Sequence, residues 1–293
     1  MSVSLALLVA GAQGCAALGV ARQGPAVHFQ AHRGGLREVP ENTLAGYVYA
    51  WELGGIPEID IRTTRDGVII CLHDDSLERT TDADDAVKEV PVAQLTLEEV
   101  RRWDSGVKFG PRFKGERVPA LREVYAAMRG HPKRQVYLDL KDADLERLAD
   151  LIDVFGVEKQ IIFSHNNQGN CIRLRDLLGS IRTMLWIGGK PEEIMATFER
   201  VARTGFEGLD QVQLHLHDEG LPGRIEYAIE ADFLRGALAK TAAAGVDLEV
   251  LPFVFDAPSL GALLDLGIRW YATDEPKRFT GCVRQWRDAA DSG

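Results

Sequence analysis

Short apolar runs alternate with amphipathic stretches along most of the chain. Over 143–155, Leu145, Leu148, Leu151 and Ile152 recur at helical spacing, and a compact apolar run follows at 160–164. The alternation repeats as helix 168–178 and strand 181–187, then helix 191–203 and strand 208–216. It continues as helix 230–244 and strand 247–255, then helix 258–266 and strand 268–272. Three earlier runs, 27–31, 55–61 and 135–141, complete a set of eight strands. Strands separated by helices of this length are βα units of a parallel sheet. The run 68–72 does not fit. Only a few residues and the Asp66-Gly67 turn signal separate it from the strand ending near Thr63, whereas a parallel crossover needs a dozen or more residues. It must be antiparallel. Centring the turn on Asp66-Gly67 pairs Thr63 with Ile70, Ile61 with Leu72 and Asp60 with His73. The predicted fold is a distorted TIM (β/α)8-type barrel with one short antiparallel hairpin strand at about 68–72.

A chain of 293 residues suits one such barrel domain, here 22–293, with no internal repeat, low-complexity tract or linker. A net charge of −10 opposes general nucleic-acid affinity, which needs a basic footprint. Residues 1–21 stand apart. The apolar run 3–12 is too short to span a bilayer, and the small residues Gly11, Ala12, Gly14, Ala16 and Ala17 lie around its end. This pattern predicts a secretory signal peptide and export, although no Lys or Arg precedes the run. Ala12-Gln13-Gly14-Cys15 also resembles a bacterial lipoprotein box with Ala12 in place of the usual Leu, so lipidation of Cys15 would be the route to a membrane. The other reading is an N-terminal extension on a cytoplasmic protein. Cys71, Cys171 and Cys282 lack metal-type spacing; Cys71 is expected in the core, and no obligatory disulfide is expected.

The candidate chemistry is concentrated in the first quarter of the barrel. Glu58 and Asp60 fall on one face of the run 55–61, with Ile59 and Ile61 on the other. Two carboxylates this close repel unless a cation lies between them or one takes a proton. Oxygen donors suit a hard divalent cation, Mg²⁺ or Ca²⁺. The competing reading is an exposed strand face with solvated charges. The hairpin register delivers His73 beside Asp60, where an imidazole is placed to move protons. His32 and Arg33 end the first strand, and Gly34 and Gly35 let the chain turn there. Arg33 offers a planar fork suited to phosphate or carboxylate oxygens. Asn42 or Thr43 is the expected N-cap of a helix through Leu44, Tyr47, Val48 and Trp51. Glu41, just ahead, is placed to pair with Arg33 or to orient His32. Later, Tyr137, Asp139 and Lys141 share a strand face. So do Gln211, Gln213, His215 and His217, which read as polar groups at the barrel mouth or a wet strand end. The basic loop 108–115 reads as solvated.

His32-Arg33-Gly34, Pro40-Glu41-Asn42-Thr43, Glu58-Ile59-Asp60, Asp66-Gly67, His73-Asp74 and Arg79-Thr80-Thr81 follow one another in a specific order and spacing. That pattern resembles the glycerophosphodiester phosphodiesterase family, and the likeness extends more loosely to Pro276. It implies a (β/α)8-type barrel that binds one divalent cation and hydrolyses a glycerophosphodiester to glycerol phosphate and an alcohol. Where the family has E-x-K, with the Glu as third metal ligand, this chain has Asp139, one methylene shorter, and Lys141 would face a phosphate oxygen. The implied mechanism uses Glu58, Asp60 and Asp139 as ligands, Arg33 and Lys141 on the phosphate, and His32 and His73 as general base and general acid on opposite sides of phosphorus. The Trp and Asn of the family's W-T-V-N-D are Pro252 and Phe255 here, which bears on the headgroup. The alternatives are a phospholipase D-like or lyase-type enzyme on the same barrel, and an exported phosphodiester-binding protein without turnover.

Overall fold

The computed structural model describes residues 26–291, so the leader and Cys15 readings concern residues outside them. Nine strands form one sheet: β1 His28–Ala31, β2 Ile56–Thr63, β3 Ile69–Cys71, β4 Val136–Asp142, β5 Ile161–His165, β6 Arg182–Ile187, β7 Gln211–Leu216, β8 Asp247–Pro252 and β9 Trp270–Thr273. All but β3 pair in parallel. The sheet closes because β1 bonds both β9, with His28 opposite Trp270, and β2, with Gln30 opposite Ile56. The result is the expected eight-stranded TIM-type α/β barrel with one antiparallel strand bonded outside it.

Helices follow the strands: α1 Leu44–Glu52, α2 Leu97–Val100, α3 Leu121–Met128, α4 Leu145–Phe155, α5 Gln168–Leu178, α6 Pro191–Ala202, α7 Ala231–Ala243, α8 Ala257–Asp265 and α9 Pro276–Asp291. Helix α4 illustrates the local causes. Asp144 caps it by accepting the Arg147 N–H at 2.9 Å, and Leu145, Leu148, Ala149 and Ile152 form its buried stripe. Gly156, left-handed at φ 64°, ends it. The outward-facing strand residues, Ile59, Ile61, Leu138 and Phe163 among them, pack against such stripes in the main core. A second small core, built on Ile70, Leu72, Leu77, Val92, Leu95, Val100 and Val118, seats the long segment between β3 and α3.

The hairpin register differs from the sequence expectation by one residue. Thr63 faces Ile69 and Ile61 faces Cys71, and the Leu72 N–H bonds the Asp60 carbonyl at 2.9 Å. The reason lies in the turn. Thr64 N–H bonds the Val68 carbonyl, so the loop is Arg65-Asp66-Gly67, with Gly67 left-handed at φ 77°. This is a three-residue loop, where the Asp66-Gly67 pair alone suggests two. One step of register reverses the face of every side chain. His73 is therefore not opposite Asp60 on the pleat. It comes from beyond the end of β3, where its carbonyl accepts the Arg62 Nε–H at 2.9 Å.

The barrel interior is unusually polar beneath its mouth. Tyr137, Ile162 and Met184 form a thin apolar layer. Beside it the buried Glu249 accepts from Gln211 Nε2 at 2.7 Å, Gln213 Nε2 at 2.6 Å and the Tyr137 hydroxyl at 3.1 Å. Burial dominates these bonds and pushes the Glu249 carboxyl up to about 7. Glu249→Leu orphans the buried Gln211 and Gln213 N–H groups, at about 1–3 kcal/mol each, while the Tyr137 hydroxyl keeps Gln211 Oε1 at 2.8 Å, so urea unfolding should register a loss of about 2 kcal/mol or more. Glu249→Gln keeps an acceptor and should cost less. It should also remove a pH dependence. The folded state holds this proton more tightly than the unfolded one, so its contribution is complete below the ordinary value of 4.5 and is lost as pH rises through about 7.

Candidate active site

The turn after β1 has a left-handed backbone at Arg33 (φ 51°) and Gly34 (φ 86°). A Cβ on Gly34 would stand 2.9 Å from the Gly46 carbonyl carbon in α1, so only glycine lets the turn lie against that helix. The bend aims the Arg33 N–H at Glu58 Oε2, 2.7 Å away. Asn42 is left-handed too (φ 53°), a conformation asparagine tolerates. It is not the helix cap. Thr43 is, its hydroxyl accepting the Gly46 N–H at 3.1 Å. Asn42 instead bridges to β2, donating through Nδ2 to Asp60 Oδ2 (2.7 Å) and accepting the Asp60 N–H (3.1 Å) and the Tyr47 hydroxyl (3.0 Å) on Oδ1.

Glu58, Asp60 and Asp139 converge, each buried, with one carboxylate oxygen from each lying within 4.8 Å of the others. β2 and β4 place Asp60 directly opposite Asp139. Burial first, and then the Asp60 charge, push the Glu58 carboxyl up to about 8. Burial opposes ionisation of Asp60 as well, but Lys141, Arg33 and His73 outweigh it and hold its carboxyl below the ordinary value. Asp60 Oδ1 has no hydrogen bond, although Lys141 Nζ lies 3.2 Å away. Three crowded, buried carboxylates, together with an Asp60 oxygen that has no hydrogen bond and only the Lys141 charge beside it, fit a divalent cation on all-oxygen ligands.

Both histidines line the same cavity of about 230 Å³ as Glu58, Asp139, Arg33 and Lys141. His32 Nδ1 bonds Asp274 Oδ1 at 2.7 Å, and His73 Nδ1 bonds Asp74 Oδ1 at 2.7 Å. Each ring is thus oriented by a carboxylate. Their environments differ. Burial disfavours charge on His32, but the Asp274 bond and the Glu58 and Asp274 charges overcome it, so its pKa is raised. At His73 burial prevails, supported by the Arg33 and Lys141 charges, and the pKa is lowered. Lys141 Nζ pairs with Asp139 Oδ2 at 2.6 Å. Glu41 orients no histidine; it accepts from Arg33 Nη1 at 3.1 Å and from Arg79 Nη2 at 2.7 Å.

The structure therefore gathers the eight predicted residues into one site, with Glu41 behind Arg33. It adds partners that the local pattern does not reveal. Asp274, Asp74 and Arg79 belong to motifs readable in the chain, but their targets are set by folding. Trp186 carries no local signal; it donates through Nε1 to Asp139 Oδ1 at 3.1 Å. Of the β7 face, Gln213 and His215 line the cavity, whereas Gln211 lies below and the exposed His217 stacks on Phe253 with centroids 4.9 Å apart. His215 is held neutral, its pKa lowered to about 4 by burial and the charges of His32, His217 and Lys141. The altered positions Pro252 and Phe255 do not line the cavity. Leu251 and Phe253 do, while Phe255 packs on Phe279 in the core. The strand ends at Pro252 and the following turn carries Phe255 inward.

Comparison with known proteins bears on this geometry. Residues 32–278 match the glycerophosphoryl diester phosphodiesterase family. The chain is 38% identical over 145 residues to a glycerophosphodiester phosphodiesterase of Caldanaerobacter subterraneus subsp. tengcongensis, a stretch covering 47% of this chain and 57% of that one. It is 34% identical over 130 residues to human glycerophosphodiester phosphodiesterase 1, covering 43% and 38% respectively. The chain thus spans about half the length of the curated relatives it matches. Its fold is that of the Agrobacterium tumefaciens glycerophosphodiester phosphodiesterase, with a TM-score of 0.69 at 23% identity over 87% of this chain and 99% of that one. An Oleispira antarctica phosphodiesterase, solved in complex with the product sn-glycerol-3-phosphate, gives 0.64 at 22% identity over 88% and 96%. A family match that spans most of the barrel and includes all eight residues of the site establishes that this chain belongs to the glycerophosphoryl diester phosphodiesterase family.

Proposed function

We propose that this chain hydrolyses glycerophosphodiesters to glycerol 3-phosphate and an alcohol, using one divalent cation, Mg²⁺ or Ca²⁺, on Glu58, Asp60 and Asp139. The observation that carries the reading is the convergence of three buried carboxylates, two of them lining one cavity, with two carboxylate-backed imidazoles and two cationic side chains that line it too. When bound, the cation supplies electrostatic stabilisation of charge on the phosphoryl oxygens. Arg33 and Lys141 add fixed positive charge on the same side of the cavity. The two histidines divide the proton transfers. The lowered pKa leaves His73 neutral near pH 7 and able to take a proton from the attacking hydroxyl. The raised pKa favours the charged form of His32 relative to His73, which suits it to give one to the departing alkoxide. This reverses the order of roles expected from the sequence. One phosphorus–oxygen bond forms and one breaks; His73 gains the proton of the attacking hydroxyl, His32 gives its own to the alkoxide, and proton exchange with solvent resets both rings. Two oriented, oppositely tuned imidazoles also argue against a binding protein without turnover.

The direct test is release of glycerol phosphate from glycerophosphocholine and glycerophosphoethanolamine by the purified chain. Release should vanish in EDTA and return with Mg²⁺ or Ca²⁺. No release from either ester, with cation bound, would overturn the substrate reading. A cyclic phosphate end product would identify attack by a substrate hydroxyl in place of water.

A further inference from the structure

We infer that Trp186 is a positioning residue for the cation site, fixing Asp139 so that a carboxylate on a short stem is presented at the cluster; the inference rests on Glu58, Asp60 and Asp139 being the ligands. A shared feature of the three carboxylates points to it. Each has one oxygen that accepts a hydrogen bond from an uncharged N–H: the Arg33 backbone for Glu58 Oε2 (2.7 Å), the Asn42 amide for Asp60 Oδ2 (2.7 Å, with Arg33 Nε farther off at 3.4 Å) and the Trp186 indole for Asp139 Oδ1 (3.1 Å). An indole N–H only donates. It orients a carboxylate oxygen without competing as a ligand or adding charge. Asp139 needs this, because its other oxygen is paired at 2.6 Å with Lys141, a charge on a flexible stem that would otherwise set the carboxylate's direction alone.

Trp186 is itself anchored from below. Its ring stacks on His215, with centroids 5.5 Å apart and planes 4° from parallel. Gln213 Nε2 bonds Gln30 Oε1 (2.7 Å) and Glu249 Oε1 (2.6 Å), so its Oε1 faces His215 Nε2 (3.2 Å) and must accept from it. That fixes the imidazole tautomer and the ring plane. The rigid contacts run from the barrel floor through Gln213, His215 and Trp186 to Asp139. They reach across the barrel interior, since β6 is separated from β4 by β5. Groups that hold ligands in this way commonly change metal affinity 10–100-fold when removed.

The test is Mg²⁺ titration calorimetry on the wild type and on Trp186→Phe, which keeps an aromatic ring to stack and loses the N–H. The expected result is a Kd raised about 10–100-fold. Turnover should be low at the wild type's working Mg²⁺ concentration and recover when Mg²⁺ is raised by the same factor, a rescue that a merely structural defect would not show. An unchanged Kd overturns the inference. A wild type that binds neither Mg²⁺ nor Ca²⁺ overturns the ligand assignment and the inference with it, whereas cation binding without phosphodiester turnover overturns only the substrate reading. Should Trp186→Phe fail to fold, the native chain decides. Mn²⁺ should broaden one of the five tryptophan indole N–H resonances far more than the rest. Uniform behaviour of the five would overturn the inference.

Discussion

Glu58→Gln should lower turnover of a glycerophosphodiester by roughly 10³-fold or more while leaving the barrel folded. The magnitude follows from the several kcal/mol that a bound cation supplies to charge developing in a phosphoryl transition state, at 1.36 kcal/mol per factor of ten. Glutamine keeps the volume of the side chain and its acceptor for the Arg33 N–H, but it removes one of the three proposed anionic ligands. The expected stability change is small in EDTA, because a buried carboxylate crowded by Asp60 gives way to a neutral amide. The contrast appears when cation is added. The wild type should gain thermal stability with Mg²⁺, by RT ln(1 + [L]/Kd), and the variant should not. A variant that retains turnover within tenfold at low Mg²⁺ would exclude Glu58 as a ligand.

Each histidine should matter by about 10²–10⁴-fold when replaced by alanine, and the two deficits should respond differently to the leaving group. A phosphodiester with a p-nitrophenyl leaving group expels a stable phenolate that needs no proton. The deficit of His32→Ala, the proposed acid, should therefore shrink on that substrate, while that of His73→Ala, the proposed base, should persist. The opposite pattern would restore the assignment suggested by the sequence. Asp274 is the natural control. Asp274→Asn removes the negative charge that holds the His32 pKa up, so it should share the leaving-group pattern of His32→Ala.

The eight parallel strands and the extra antiparallel strand were legible in the chain for reasons of short range, and so were most residues of the candidate site, whereas Asp139 as a ligand and Lys141 on the phosphate were implied by the family resemblance. Apolar periodicity reports which face of an element is buried, and Glu58 with Asp60, or Asp139 with Lys141, lie two apart on single strands, where geometry leaves no choice of face. His73 was legible as a residue but not as a register, because the turn length depends on Gly67 taking the left-handed conformation and on Thr64 pairing with Val68. Tertiary structure alone decided the rest. His32 meets Asp274 across 242 positions, Asp139 meets Trp186 across 47, and Gln213 meets Gln30 across 183. Closure of the barrel brings the first and last strands together and lets β6 reach across to β4, and no local pattern encodes which side chain waits on the far wall. The proposed division of proton roles has the same origin. The two histidines acquire opposite pKa shifts because burial and the surrounding charges, most of them brought together by the closed fold, balance differently at each.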